Sequence, residues 1–305
     1  MTASAPVTAR APAKVNVHLA VGPLRPDGFH ELRTVYLAVS LFDTVTVGPG
    51  DGLSLSVTGE GADVVPADRR NLVWRAAELL AGSAGVPADA EMTIAKSIPA
   101  AAGLAGGSAD AAAALVALDA LWGTRASRED LAGLAAQLGS DVPFSLLGGV
   151  ALGSGRGEQL SPVLARTPSH WVLGIAGEGL STPAVYAELD RLRAAGRVPD
   201  GTDLPPAEPV IAALRSGLPQ ELAGALGNDL QAPALTLRPE LRRALAAATE
   251  AGAAGVLVSG SGPTVAALVA DEQSAVRLTA ALAGAGVFRT VRAVQGPVPG
   301  ARLVG

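Results

Sequence analysis

The chain has 305 residues, 49% of them hydrophobic but only 3% aromatic, and it carries a formal net charge of -5 with no cysteine. That length predicts two domains sharing an interface, with a core built from Ala, Val and Leu rather than from rings. Missing cysteine excludes disulfides, zinc thiolates and thiol nucleophiles, and scattered charges with no basic run disfavour nucleic acid or an anionic membrane as partner.

In chain order, Val15, Val17, Leu19 and Val21 alternate with Lys14, Asn16, His18 and Ala20, which predicts a strand with one apolar and one mainly polar face. Lys14, Asn16 and His18 also interrupt any apolar run that a signal peptide would need. Val45/Val47 and Leu53/Leu55/Val57 repeat the alternation. A helix from about Asn71 follows, with Leu72, Val73, Ala76, Leu79 and Leu80 on one stripe. A strand from Met92 to Ala95 leads into a loop of small residues, and Ser108 to Trp122 is expected as the next helix. Ser127 and Asp130 form a capping-box pattern ahead of Leu131, Leu134 and Leu138, and that helix stops at Gly139. Residues 196–209, polar and rich in Pro, are expected as a surface loop. Residues 251–270 are uncharged and long enough to suggest a membrane span, but Ser259-Gly-Ser-Gly-Pro263 divides them into strands near 255–259 and 264–269. A helix over 272–284 and a strand over 287–294 complete an antiparallel sheet covered by helices, an α+β class. These features predict a chain that works in the cytoplasm.

Three places carry chemistry. In Pro99-Ala-Ala-Ala102-Gly103-Leu104-Ala105-Gly106-Gly107-Ser108 the small residues let backbone approach a ligand, and the following helix offers free N–H groups to phosphate. Composition alone leaves an ordinary strand–loop–helix turn equally open. The loop lacks the Gly-Lys-Ser/Thr end of a Walker A sequence, and its glycine spacing fits neither a dinucleotide fold nor a protein kinase. Of 23 basic residues only Lys14 and Lys96 are lysine, so a compact ammonium has a use there that a guanidinium lacks, unless both are chance survivors. Asp141, in Gly139-Ser140-Asp141-Val142-Pro143-Phe144, is either a solvated turn residue or a catalytic carboxylate. His18, His30 and His170 lie too far apart in sequence to suggest a metal cage.

Taken together, these residues resemble the GHMP kinases, whose three motifs are matched in order. Ala11-Pro-Ala-Lys14-Val-Asn16 is similar to the first, Pro99 to Ala112 to the second, and Val258-Ser259-Gly260-Ser261-Gly262-Pro263-Thr264 to the third. Within the family, Arg25-Pro-Asp-Gly-Phe29-His30, Asn71-Leu72, Thr182-Pro183 and Asn228-Asp229-Leu230 resemble a branch that phosphorylates a cytidine-diphosphate-linked polyol. Ala102 and Ala105 stand where glycines are common, and Phe29 where Tyr is frequent.

The resemblance implies an N-terminal ribosomal-protein-S5-like nucleotide domain (1–155) and a ferredoxin-like substrate-side domain (156–305). It implies ATP and Mg²⁺ as cofactors. Lys14 and Asp141 would be catalytic, with Asp141 accepting or orienting the hydroxyl proton. Asn71, Lys96, Pro99 and the residues from Ala102 to Ser108 would hold the nucleotide. Asn16, Asp141, Thr182, Gly260 and Ser261 would bind substrate, while Phe29 and Tyr186 sandwich its base and His30 bonds the base edge. Alternative readings are a family member with another small acceptor, such as homoserine or a mevalonate derivative, and a non-catalytic metabolite-binding member. Oligomeric state has no signal in the sequence.

Overall fold

A turn at residues 25–29 organises the first half of the chain. In the computed structural model, which describes residues 5–177 and 179–305, Gly28 takes φ 83° there. Asp27 accepts from the Phe29 amide at 3.1 Å, and the Arg25 amide donates to the Phe29 carbonyl at 2.7 Å. Pro-Asp-Gly supplies the fixed φ, the side-chain acceptor and the positive φ that such a turn needs. It folds β1 (Val7–Leu24) back on β2 (His30–Gly48) as antiparallel strands of 18 and 19 residues.

Most of β2 carries no period-two signal in the sequence, because residues 34–39 are buried on both faces. Nor does the alternation in β1 divide core from solvent: Lys14, Asn16 and His18 are buried along with Val15 and Val17. The polar face of β1 looks into the molecule.

Next come β3 (Leu53–Gly59), α1 (Leu72–Ala84) and β4 (Ala90–Lys96), with β3 and β4 parallel across the helical connection. Then follow α2 (Gly106–Trp122), α3 (Arg128–Leu138), α4 (Val142–Leu147), β5 (Val150–Ser154) and β6 (Gln159–Pro162). α3 opens on the Ser127/Asp130 capping box as expected. α2 starts two residues before the expected Ser108, because Ala105 takes the left-handed conformation (φ 59°, ψ 37°) and turns Gly106 into the helix. Residues 109–115 of α2 are all buried. A helix enclosed on every side carries no amphipathic stripe, and its alanines let it pass between β1/β2 and α1, α3 and α4.

The remainder holds β7 (Ser169–Ile175), α5 (Thr182–Ala194), α6 (Glu208–Ser216), α7 (Pro219–Ala225), β8 (Gly227–Asn228) and α8 (Gln231–Leu237). It closes with α9 (Leu241–Glu250), β9 (Gly255–Val258), β10 (Thr264–Val269), α10 (Glu272–Gly284), β11 (Thr290–Gly296) and β12 (Arg302–Leu303). One sheet runs β12-β1-β2-β4-β3, with β5 also on β2, β6 on β5 and β8 on β1. The other runs β11-β7-β10-β9. Numbering its strands one to four in chain order gives four-one-three-two, the β-α-β-β-α-β arrangement of ferredoxin-like layers. The α+β expectation holds.

Two sequence expectations hold, the loop as far as Ala207 and with closer ties than its composition suggests. The 196–209 segment is tied down: Arg33 donates to the Leu204 carbonyl, Arg193 to the Pro199 carbonyl, and Ala207 is buried. Residues 251–270 form β9, a turn and β10, and among the described residues no helix is long and apolar enough to cross a membrane.

Candidate active site

Register shifts between Pro12 and Ala13 and between Asn16 and His18 flank Lys14 and Asn16 on β1. Such irregularities re-aim side chains beside functional sites. Lys14 Nζ donates to Asn16 Oδ1 at 2.6 Å and to the Gly103 carbonyl at 3.2 Å, and stands 3.7 Å from Asp141 Oδ2. Asn16 is oriented in turn, because its amide donates to Thr34 Oγ1 at 2.8 Å and that hydroxyl donates to the His18 carbonyl at 2.8 Å.

Asp141 is the N-cap residue of α4 but makes no side-chain cap bond. Its carboxylate instead accepts from the Tyr36 hydroxyl at 3.1 Å and faces Lys14. A turn aspartate would spend its oxygens on neighbouring amides; this one spends them across the fold. The Tyr36 ring stacks on Phe144, with centroids 4.8 Å apart, so α4 carries both Asp141 and the ring that backs its hydrogen-bond donor. Burial raises the Tyr36 hydroxyl well above its ordinary pKa, and the Asp141 charge raises it further, so it stays a donor.

The loop before α2 passes directly under Lys14, whose amide donates to the Leu104 carbonyl at 3.1 Å. Gly103 takes φ 77° at a point where a Cβ would strike the Ser259 carbonyl. The third motif is held there by the Ser259 hydroxyl, which donates to the Gly103 carbonyl at 3.2 Å. Asn228 adds two amide bonds of 2.7 Å, to the carbonyls of Val258 and Gly260. All three motifs therefore meet at Lys14.

They share one cavity of about 730 Å³. Of the expected site residues, Lys14, Asn16, Ala102, Gly103, Ala105, Gly106, Gly107, Ser108, Asp141, Gly260 and Ser261 line it, as do Phe29, His30, Thr182 and Tyr186. The first turn of α2 supplies unpaired N–H groups at one end, suited to phosphate oxygens. Thr182 and Ser261 hydroxyls pair at 2.9 Å along one wall.

Four expected nucleotide contacts do not line the cavity. Pro99 and Leu104 are buried beneath the loop. Asn71 caps α1: its side chain accepts from the Val73 amide at 2.9 Å and donates to the Pro66 carbonyl at 2.8 Å. Lys96 is buried between Asp43 and Asp110, bonding both carboxylates, so its charge is already balanced under the start of α2. Burial alone would lower the Lys96 ammonium, but Asp110 and Asp43 more than offset it and hold it above its ordinary pKa.

The far end of the cavity also departs from expectation. His30, not a second aromatic, stacks on Tyr186, with centroids 5.1 Å apart, and its Nε2 stands 3.0 Å from Asp190 Oδ1. The Arg156 guanidinium covers one face of Phe29 at 4.8 Å. A planar ligand entering between Phe29 and Tyr186 would meet their remaining faces. Tyr36, Arg156 and Asp190 were not anticipated. The available signals were that Tyr36 is one of two tyrosines in the chain and that Asp190 lies four residues beyond Tyr186 on the same helix.

Among the described residues no group of three or more His, Cys, Asp or Glu side chains converges on a metal site. Ser108 and Asp141 line the cavity, and oxygen donors of this kind suit Mg²⁺ carried in on phosphate.

Comparison with known proteins agrees with this geometry. Residues 71–149 match the model of the GHMP kinases N terminal domain, and residues 210–287 that of the GHMP kinases C terminal domain. The 4-diphosphocytidyl-2-C-methyl-D-erythritol kinase of Rhodococcus jostii is 60% identical over 98% of this chain and 95% of its own. That of Mycolicibacterium smegmatis is 60% identical over 98% and 92%. A crystal structure of 4-(cytidine 5'-diphospho)-2C-methyl-D-erythritol kinase superposes with TM-score 0.76 at 37% identity, covering 98% of this chain and 99% of that one. Homoserine kinase from Cytophaga hutchinsonii shares the fold, with TM-score 0.75 at 18% identity, covering 99% and 98%.

Proposed function

Because the chain belongs to the GHMP kinase family, we propose that it transfers the γ-phosphoryl group of ATP to the 2-hydroxyl of 4-diphosphocytidyl-2-C-methyl-D-erythritol. This is a step in non-mevalonate isoprenoid precursor synthesis, and both substrates suit a cytoplasmic enzyme. The observation that carries the reading is one cavity with the glycine loop at one end, Phe29, His30 and Tyr186 at the other, and Lys14 with Asp141 between. Relatives 57% to 60% identical over nearly the whole chain bear this activity in their names.

In this mechanism the helix opening at Gly106 receives the phosphates, with the Ser108 hydroxyl beside them. Asp141, aimed by Tyr36, orients the acceptor hydroxyl and takes its proton as the phosphoryl group transfers in line. Lys14 balances charge on the transferring group while Asn16 and the Gly103 carbonyl hold its ammonium in place. Mg²⁺, when bound with the nucleotide, neutralises phosphate charge. Positioning and charge stabilisation supply most of the acceleration in such transfers. Thr182, Ser261 and Gly260 lie along the wall where the polyol and diphosphate would run.

The test is an ADP-release assay with Mg²⁺, offering diphosphocytidyl-methylerythritol, homoserine, mevalonate and galactose side by side. ADP release with the cytidylyl compound alone is expected. Equal or greater turnover of homoserine or mevalonate would leave the family intact and overturn the substrate.

A further inference from the structure

His30 is held in two ways that together select the tautomer of its neutral ring. Its ring lies on Tyr186 with an interplanar angle of 28°, and its Nε2 meets Asp190 Oδ1 at 3.0 Å. Tyr186 and Asp190 are four residues apart on α5, one turn, so a single helix face grips the imidazole from its plane and its edge. The imidazole is buried, whereas the Asp190 side chain is 42% exposed. A carboxylate only accepts hydrogen bonds, so a neutral imidazole in this position carries its proton on Nε2. Nδ1 is then a lone pair, and among the described residues no group bonds it. His30, Asp190, Tyr186 and Phe29 line the same end of the cavity.

We propose that Asp190 is a positioning residue for base recognition: by fixing the His30 tautomer it makes Nδ1 an obligatory acceptor that reads an exocyclic amine and rejects a carbonyl. The inference rests on the cytidylyl acceptor proposed above. Cytosine presents an amine at C4 and uracil a carbonyl at the same place. An acceptor nitrogen bonds the amine, but against the carbonyl two lone pairs oppose each other with no proton between them. Without Asp190 the imidazole can move its proton to Nδ1 and donate to uracil instead. A site built around one hydrogen bond discriminates far more strongly against the analogue lacking it than shape alone does. Stacking on Phe29 and Tyr186 binds either base; the tautomer chooses between them.

The experiment uses the full chain and two variants, Asp190→Ala and Asp190→Asn, whose side-chain position is half exposed and tolerant of change. Turnover is measured with the cytidylyl substrate and its uridylyl analogue, and the His30 tautomer is read by nitrogen-15 NMR. The wild-type spectrum is expected to show Nε2 protonated. In both variants the ratio of kcat/KM for the two substrates is expected to fall about tenfold or more, chiefly through KM, with KM for ATP unchanged. A wild-type spectrum with Nδ1 protonated, or a ratio unchanged in both variants, overturns the role of Asp190 and leaves the proposed function standing. A wild-type enzyme inactive on the cytidylyl substrate overturns both.

Discussion

The Tyr36 hydroxyl donates to Asp141 Oδ1 over 3.1 Å, which leaves Oδ2 turned towards Lys14 Nζ at 3.7 Å. One carboxylate is thus oriented by a neutral donor and a cation that arrive from different strands. A hydrogen bond to a charged acceptor contributes about 1.5–3 kcal/mol. Tyr36→Phe keeps the stack on Phe144 but frees Oδ1 to rotate. The variant should lose roughly tenfold or more in kcat with KM for ATP unchanged, because orientation matters most in the transition state. Its melting temperature should stay close to wild type. Wild-type kcat in a folded variant would show that Tyr36 serves packing only.

Lys14 and Asp141 act on one transferring group, so their effects should overlap. Asp141→Asn should lower kcat by roughly 10²-fold with little change in KM. Lys14→Ala should do likewise, and the double variant should fall far short of the product of the two losses. Steady-state kinetics on all three proteins checks this. Full activity in Asp141→Asn would return that residue to the status of a turn aspartate.

The glycines at the start of α2 differ in what they can test. A Cβ at Gly106 would lie 3.1 Å from Ile98 Cγ2 and 3.2 Å from Lys96 Nζ, so a larger residue there disturbs the protein itself. At Gly107 the nearest atom is Leu72 Cδ1 at 3.9 Å, an ordinary contact. Gly107→Val should therefore fold, yet place a branched side chain where phosphate must approach. We expect ATP affinity, followed by calorimetry, to fall at least tenfold while the cytidylyl substrate still binds. Undiminished ATP binding would put the phosphates elsewhere.

Beneath that loop one ammonium serves two carboxylates. Lys96→Met would leave the buried Asp43 carboxylate without its counter-charge and Asp110 without its donor, and breaking a buried pair costs about 3–5 kcal/mol. Urea unfolding should show the loss. A variant as stable as wild type would mean that the carboxylates find other partners or take up protons without penalty.

Asp110 also gives stability a pH dependence. Burial pushes its carboxyl up to about 8, against the pull of Lys96. The folded state therefore keeps a proton that the unfolded chain releases near its ordinary value of about 3.9. Stability from this group is fully present below that value and is lost as pH rises through about 8. Lys96, held above its ordinary value, titrates only at higher pH. Asp110→Asn should flatten the decline in unfolding free energy across this interval, measured by denaturant titration at a series of pH values. An identical slope in the variant would assign the decline to other groups.

What was legible in the sequence depends on neighbours along the chain. The Ser127/Asp130 capping box, the glycine loop ahead of α2 and the Ser259–Pro263 turn each need only local backbone chemistry, and each stands where it was expected; the Pro-Asp-Gly turn is equally local. The motif residues Lys14, Asn16, Ser108 and Asp141 could likewise be picked out one by one. Their convergence could not, because it depends on how β1, α2 and α4 pack. The same limit explains the errors. Lys96 stood out through its rarity, yet its role is set by Asp43, 53 positions away, and by Asp110, 14 positions away. Most of β2, with Tyr36 in it, escaped notice because burial on both faces erases the alternation that marks a half-exposed strand. Residue type and local spacing determined which groups were available for chemistry; tertiary packing decided which of them are desolvated together, and a charge or donor acquires its function from the partner it meets away from water.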